Sequence, residues 1–400
     1  MDFAKLAQEY GTPLYVYDFD HFSAQYQALK NGFKGRKSLI AYAIKANSNL
    51  SVVRHFAKLG AGADCVSIGE VRRALKVGVD RYKIIFSGVG KRDDEIAEAL
   101  KAQILFLNLE SEAEMHRVEA IAQELGLKAR ISIRVNPNID PQTHPYISTG
   151  LSQNKFGIDI ELAKELYLYA HQSAWLEPVG IHFHIGSQLT KLEPIAEAAA
   201  KVADLARALV AAKIELKFFD VGGGLGIKYK DEKLIEPYDY AQAILAALKG
   251  LDLTIVCEPG RFLVGNGGYF VTKVLYEKEN KGKKFVIVDG AMNDLIRPTL
   301  YEAYHDLELV GREGKERVVD IVGPVCESGD FFAKHVHLPE AKHDDLLVIK
   351  SAGAYGFVMS SNYNTRGRAA EVAMEGGRAR LIRRRESFED LIALEEEYLQ

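Results

Sequence analysis

Four short stretches carry residue types whose spacing could do chemistry. In "AYAIKAN", Lys45 follows an apolar run, Leu39–Ile44. A lysine there ordinarily reaches into water, so its neighbours decide whether the amine has a task. In "HFHIGSQ", His182 and His184 are two apart on one expected strand and so share a face. That spacing suits a metal pair, a hydrogen-bonded core histidine, or an imidazole packed on an aromatic ring. In "DVGGGLG", Gly222, Gly223 and Gly224 directly follow a strand. Glycine lets backbone N–H groups close around an anion such as phosphate. Neither GK[ST] nor GxGxxG accompanies them, and a tight turn explains them equally well. In "CEPGR", Glu258 ends an apolar run. A buried carboxylate needs a partner, and a protonated ring nitrogen would serve.

These residues must be positioned by regular elements. Apolar, β-rich runs recur at Leu39–Ile44, Ala63–Val66, Lys83–Phe86, Ile104–Leu107, Ile131–Val135, Val179–Ile185, Phe218–Val221 and Leu253–Cys257. Segments of helical period separate them, such as "SEAEMHRVEAIAQELG", with Ser111 and Glu114 in a capping-box pattern and Gly126 as the stop. Eight βα units predict an α/β fold, a closed (β/α)8 barrel over residues 25–268. Catalytic groups in such barrels sit at the C-terminal strand ends. Lys45, Asp64 and Ser67, Arg134 and Asn136, His182 to Gln188, Asp220 to Gly226, and Cys257 to Arg261 all fall there. Residues 136–157 are expected to form a long irregular loop, a feature that is usually functional or disordered. From about residue 269 the β runs lose their intervening helices. With the early run "PLYVYDF", residues 1–24 and 269–400 are expected to make a second, mostly antiparallel β domain, a sandwich or Greek-key barrel. "RARLIRRR", Arg378–Arg385, reads as the polar face of an edge strand.

Composition narrows the function. The hydrophobic fraction is 48%, that of a globular chain with a large core. Against 51 Lys and Arg stand 55 Asp and Glu, a net charge of −4, which offers no basic face for nucleic acid. No run approaches the ~20 apolar residues of a membrane span, and the start does not read as a secretory signal. Cys65, Cys257 and Cys326 are scattered and odd in number, which suggests neither disulfides nor zinc and fits a reducing cytoplasm. No metal is expected.

Amine, phosphate cradle, ring-stacking imidazole and ring-nitrogen acid in one barrel mouth converge on pyridoxal 5'-phosphate. The stretches "AYAIKAN", "GADCVSIGE", "RVNP", "NKFGI", "HFHIGSQ", "DVGGGLG", "CEPGR", "RPTLY", "GPVCESGD" and "AGAYG" run from residue 41 to 356. In these motifs the chain resembles the barrel-type (fold type III) pyridoxal-phosphate decarboxylases. "GPVCESGD" and "HIGSQ" favour diaminopimelate over ornithine as substrate.

The resemblance implies that Lys45 holds the cofactor covalently, His184 stacks on its ring and Glu258 meets the ring nitrogen. It implies that Ser187, Gly222, Gly223, Gly224, Pro259, Gly260, Arg261 and Tyr355 surround the cofactor, chiefly its phosphate. Cys326 would donate the proton, and Arg261, Arg297, Tyr301, Glu327 and Tyr355 would contact substrate. The implied reaction takes meso-2,6-diaminopimelate to L-lysine and CO2 in a cytoplasmic homodimer with shared active sites. A free amino acid group at the far end of such a substrate needs a cation and an anion, and arginine with glutamate supplies both. Related decarboxylases of ornithine, arginine or a carboxylated polyamine, a metal-dependent barrel hydrolase, and a non-catalytic cofactor-binding regulator are the rival readings.

Overall fold

The computed structural model describes residues 1–140 and 155–399. The chain divides into two units. One comprises Ser23–Ile227 and Lys233–Leu263; the other comprises Met1–Phe22, Lys228–Glu232 and Val264–Gln400.

The first unit is a closed barrel of eight parallel strands, Ser38–Ala43, Gly62–Cys65, Ile84–Phe86, Phe106–Leu109, Ala129–Arg134, Leu176–His182, Phe218–Asp220 and Thr254–Cys257. Ser38 pairs with Ile255 and Ile40 with Cys257, which closes the ring between the first strand and the eighth. Strands buried on both faces need near-continuous apolar sequence, and these supply it. Ala41, Ile85, Leu105, Phe106, Val179 and Val256 pack in one cluster. The outer helices follow the same local logic. Helix Glu112–Leu125 begins where Ser111 Oγ accepts from Glu114 N at 3.1 Å and ends at Gly126, whose φ is 63°. The reciprocal half of the expected capping box is absent. The Glu114 carboxylate turns instead to Glu110 N at 2.7 Å and to Lys91 Nζ at 2.6 Å. The alanine-rich helix Glu193–Ala211 buries Ala198, Ala199, Val202, Ala203 and Ala206.

The expected loop at 136–157 falls largely on residues 141–154, outside the described residues. Its two ends are close. Asn136 N donates to Ile158 O at 2.8 Å, and Asn136 Nδ2 donates to Phe156 O at 3.2 Å.

The second unit is a nine-stranded sheet. Across it run Phe331–Leu338, Arg317–Val322, Lys283–Val288, Gly268–Asn280, Leu14–Asp18, Ala370–Glu375 and Arg378–Arg383. Leu346–Ile349 pairs with Gly268–Asn280 and with Leu307–Leu309. The N-terminal run does join this sheet, and the basic run does form its edge. Most pairs are antiparallel, but two are parallel: Leu14–Asp18 with Ala370–Glu375, and Lys283–Val288 with Arg317–Val322. Leu6, Leu14, Val16, Val271, Val348 and Val372 pack as a core on it. Among the described residues, no helix is long and apolar enough to cross a membrane.

Candidate active site

Strand register brings the barrel's polar groups together. Ala43 pairs with Asp64, Arg134 with His182, and His182 with Asp220. The first strand ends at Ala43, one residue earlier than the apolar run to Ile44 implies, so Lys45 sits in the turn Ile44–Ala46 just past it. Its Nζ donates to Asp64 Oδ2 at 3.1 Å; the lysine side chain is 38% exposed and the aspartate fully buried. Just past the neighbouring eighth strand, Pro259 O accepts from Ala43 N at 3.1 Å, tying the end of that strand to the segment before Lys45.

The two histidines separate. The sixth strand ends at His182, so His184 lies beyond it and the pair does not share a strand face. Gly222 packs closely on this segment; a Cβ there would lie 2.7 Å from Phe183 O and 2.8 Å from His184 Cβ. Gly222 also has φ 65°, a conformation open to glycine and strained for other residues. His182 instead approaches Glu258, with Nε2 3.4 Å from Oε2, an ion-pair distance without hydrogen-bond alignment. Asp220 completes this buried group, and ligand-type atoms of His182, Asp220 and Glu258 all lie within 4.8 Å of one another. Two carboxyl groups, Asp220 and Glu258, thus converge on His182.

The two buried carboxyls Asp220 and Glu258, with Asp64 feeling the charge of Glu258, cannot all ionise freely. Burial pushes Glu258 up, but the imidazole of His182, then Lys45, and the neighbouring Asp220 carboxyl outweigh it and bring Glu258 down to about 2. Burial and the Glu258 charge hold Asp220 well above the usual carboxylate range, and burial followed by Glu258 raises Asp64. Glu258 therefore carries the group's negative charge, while its Oε1 is buried without a hydrogen-bond partner. Asp220 Oδ1 accepts from Gly222 N at 2.9 Å, which couples the acid to the glycine loop.

His184 Nδ1 accepts from Gly223 N at 3.2 Å. That bond requires a lone pair on Nδ1, so the ring is neutral with its proton on Nε2. Burial, then the charges of Arg134 and Lys45, hold its pKa well below the ordinary value. Arg134 also fixes the backbone here, donating to His184 O at 3.2 Å and to Glu110 Oε1 at 2.8 Å. The other Glu110 oxygen accepts from Gly157 N at 2.8 Å. Glu110 was not expected as a site residue. A glutamate one residue past the fourth strand, facing an arginine that ends the fifth, is the signal that would have found it. Arg261 Nε and Nη2 reach Ser187 Oγ at 3.3 and 3.1 Å. A Cβ on Gly260 would meet Ala43 Cβ at 3.1 Å and Ala46 Cβ at 3.0 Å.

The remaining expected residues belong to the β unit. Arg297 is buried, with Nε 3.4 Å from His305 Nε2 and its guanidinium 5.0 Å from the Tyr229 ring and 5.8 Å from the Tyr301 ring. His305 Nδ1 lies 2.9 Å from Lys350 O, which assigns its proton to Nδ1 and leaves Nε2 to accept from arginine. Cys326 and Glu327 are exposed on a loop pinned by Asp330, whose oxygens accept from Met292 N and Val325 N, each at 2.7 Å. Tyr355 has φ 56°.

Residues 19–265 match the family model described as "Pyridoxal-dependent decarboxylase, pyridoxal binding domain". Over the full length of both chains the sequence is 62% identical to a diaminopimelate decarboxylase of Campylobacter jejuni. The crystal structure of diaminopimelate decarboxylase from Helicobacter pylori complexed with L-lysine superposes with a TM-score of 0.97 at 56% identity, covering 100% of each chain. The M. jannaschii enzyme in co-complex with L-lysine gives 0.94 at 40% identity, covering 98% of this chain and 94% of that one. Lysine at the barrel mouth, a glycine loop and a buried ionised carboxylate thus occur in a chain that belongs to the diaminopimelate decarboxylase family of pyridoxal-dependent decarboxylases.

Proposed function

We propose that this chain decarboxylates meso-2,6-diaminopimelate to L-lysine and CO2 with pyridoxal 5'-phosphate, the last step of lysine biosynthesis. The observation that carries this reading is Glu258: a buried carboxylate, held ionised, with an oxygen left without a protein partner. A protonated ring nitrogen satisfies that oxygen, and the residues around it fit the same group. Lys45 offers an amine, Gly222, Gly223 and Gly224 form a tight loop without side chains, and His184 offers a neutral ring.

When bound, pyridoxal phosphate supplies an electron-accepting ring that stabilises the carbon left as a carboxylate departs as CO2. The protein's share is orientation, charge and proton transfer. Lys45 anchors the cofactor, and Asp64 keeps its ammonium oriented until then. Glu258 stays negative and so favours a proton on the ring nitrogen. Ser187, Gly260 and Arg261 join the glycine loop around the phosphate, with Pro259 fixing the backbone between Glu258 and Gly260. Arg261 and Arg297 suit the distal carboxylate of the substrate, because a guanidinium fork matches a carboxylate in two bonds. Glu327 suits the distal ammonium, and Tyr301 and Tyr355 line the same substrate. Cys326 gives the α-carbon its proton. In this reading the enzyme is a homodimer, each site being completed by Cys326, Glu327 and Tyr355 of the partner subunit. It works in the cytoplasm, where Cys65, Cys257 and Cys326 stay reduced.

Borohydride reduction of the holoenzyme followed by peptide mass mapping is expected to leave the reduced adduct on Lys45. Lys45→Ala is expected to lose the visible cofactor band and nearly all CO2 release from diaminopimelate. A tag on another residue, or faster CO2 release from ornithine or arginine than from diaminopimelate, would overturn the proposal.

A further inference from the structure

The exposed pair Cys326–Glu327 is touched by the tip of a second loop in the β unit. Asn364 Oδ1 accepts from Cys326 N at 3.0 Å, and Tyr363 OH donates to Glu327 Oε2 at 3.2 Å. Adjacent residues on one loop thus each hold one member of an adjacent pair on another.

The same loop is also anchored at Asn293. Ser361 N donates to Asn293 O at 2.9 Å, and Asn293 Nδ2 donates to Ser361 O at 3.2 Å. Arg366 Nε donates to Asn293 Oδ1 at 3.0 Å, and Asn362 Nδ2 to Arg366 O at 3.0 Å. Asn293 is itself buried. The backbone at the tip runs against local preference. Asn364 and Thr365 both have φ 56°. Asparagine tolerates that region, but a β-branched threonine there is an outlier. Such strain persists only where surrounding contacts over-determine it, and it gathers at functional sites.

We propose that Asn364 and Tyr363 are positioning residues for the reaction: Asn364 fixes the backbone from which the Cys326 thiol projects, and Tyr363 aims the Glu327 carboxylate. This rests on the reading of Cys326 as proton donor and Glu327 as ammonium ligand. The two contacts differ in consequence. A misplaced proton donor slows turnover without weakening binding, whereas a misaimed carboxylate weakens binding of the far ammonium.

The test is steady-state kinetics of purified holoenzyme variants with diaminopimelate. Asn364→Gly keeps the left-handed backbone and removes the acceptor oxygen, so the loop retains its path. Its kcat is expected to fall about tenfold with KM within about twofold. Asn364→Asp restores the oxygen and is expected to recover most of kcat. Cys326→Ala combined with Asn364→Gly is expected to be no slower than Cys326→Ala alone, because one residue acts through the other. Tyr363→Phe is expected to raise KM several-fold. A full kcat in Asn364→Gly, or losses in the double variant that multiply, would overturn the positioning role. If Cys326→Ala itself keeps wild-type kcat, the donor assignment fails and the proposal falls with it, a result distinct from failure of the loop contact alone.

Discussion

At His184 a hydrogen bond decides the protonation state. Gly223 N–H occupies Nδ1, and Arg134 and Lys45 add positive charge nearby, so the folded protein resists protonating this ring. The unfolded chain has no such restraint and takes up a proton near pH 6.5. The folded pKa is lowered, so the unfolded state binds more protons below that pH, and stability falls as pH drops. Removing the ring removes this contribution. His184→Gln is therefore expected to show a smaller loss of melting temperature between about pH 7.5 and 5.5 than the parent chain, measured by thermal unfolding. Equal losses would show that His184 is protonated in the fold. Glu258 behaves oppositely: its pKa is depressed to about 2, so its contribution is present above the usual carboxylate range and disappears only as pH falls toward that value.

Elements fail or succeed at their ends. Arg134 closes the fifth barrel strand, Glu110 follows the fourth, and their ion pair is almost wholly buried, with side-chain exposures of 8% and 2%. Removing one partner leaves the other charged and enclosed. Arg134→Ala is expected to cost about 3 kcal/mol or more of stability, while the double change Glu110→Gln with Arg134→Met costs less, as read from denaturant midpoints. Similar losses in both variants would mean that the lone carboxylate finds water. Much at this scale was legible in the sequence. Ser111 and Gly126 bound their helix because capping chemistry is local. The fate of the Glu114 side chain was not legible, since Lys91 and the backbone of Glu110 compete for it from outside the helix.

For the whole molecule, assembly is the open quantity. If sites are shared between two copies, Lys45→Ala and Cys326→Ala carry their defects on different subunits. Mixing the two inactive variants after subunit exchange is expected to restore about a quarter of parent activity, because about half the dimers are mixed and each then holds one intact site. No recovery in mixtures shown to exchange would refute the sharing. Within the chain, the barrel was legible as eight apolar runs because each parallel strand is buried on both faces and must be apolar throughout. The β unit was legible as β texture, but not its two parallel pairings; Leu14–Asp18 meets Ala370–Glu375 across most of the chain's length.

The sequence by itself determined the residue types, their order at the strand ends and the barrel that collects them, since apolar runs, glycines and caps act through local physics. Only the tertiary structure decided that His182 rather than His184 meets Glu258, that Asp220 joins them, and which carboxyl keeps the charge. Those outcomes depend on inter-strand register and on how deeply each group is removed from water, and desolvation is a property of the packed molecule.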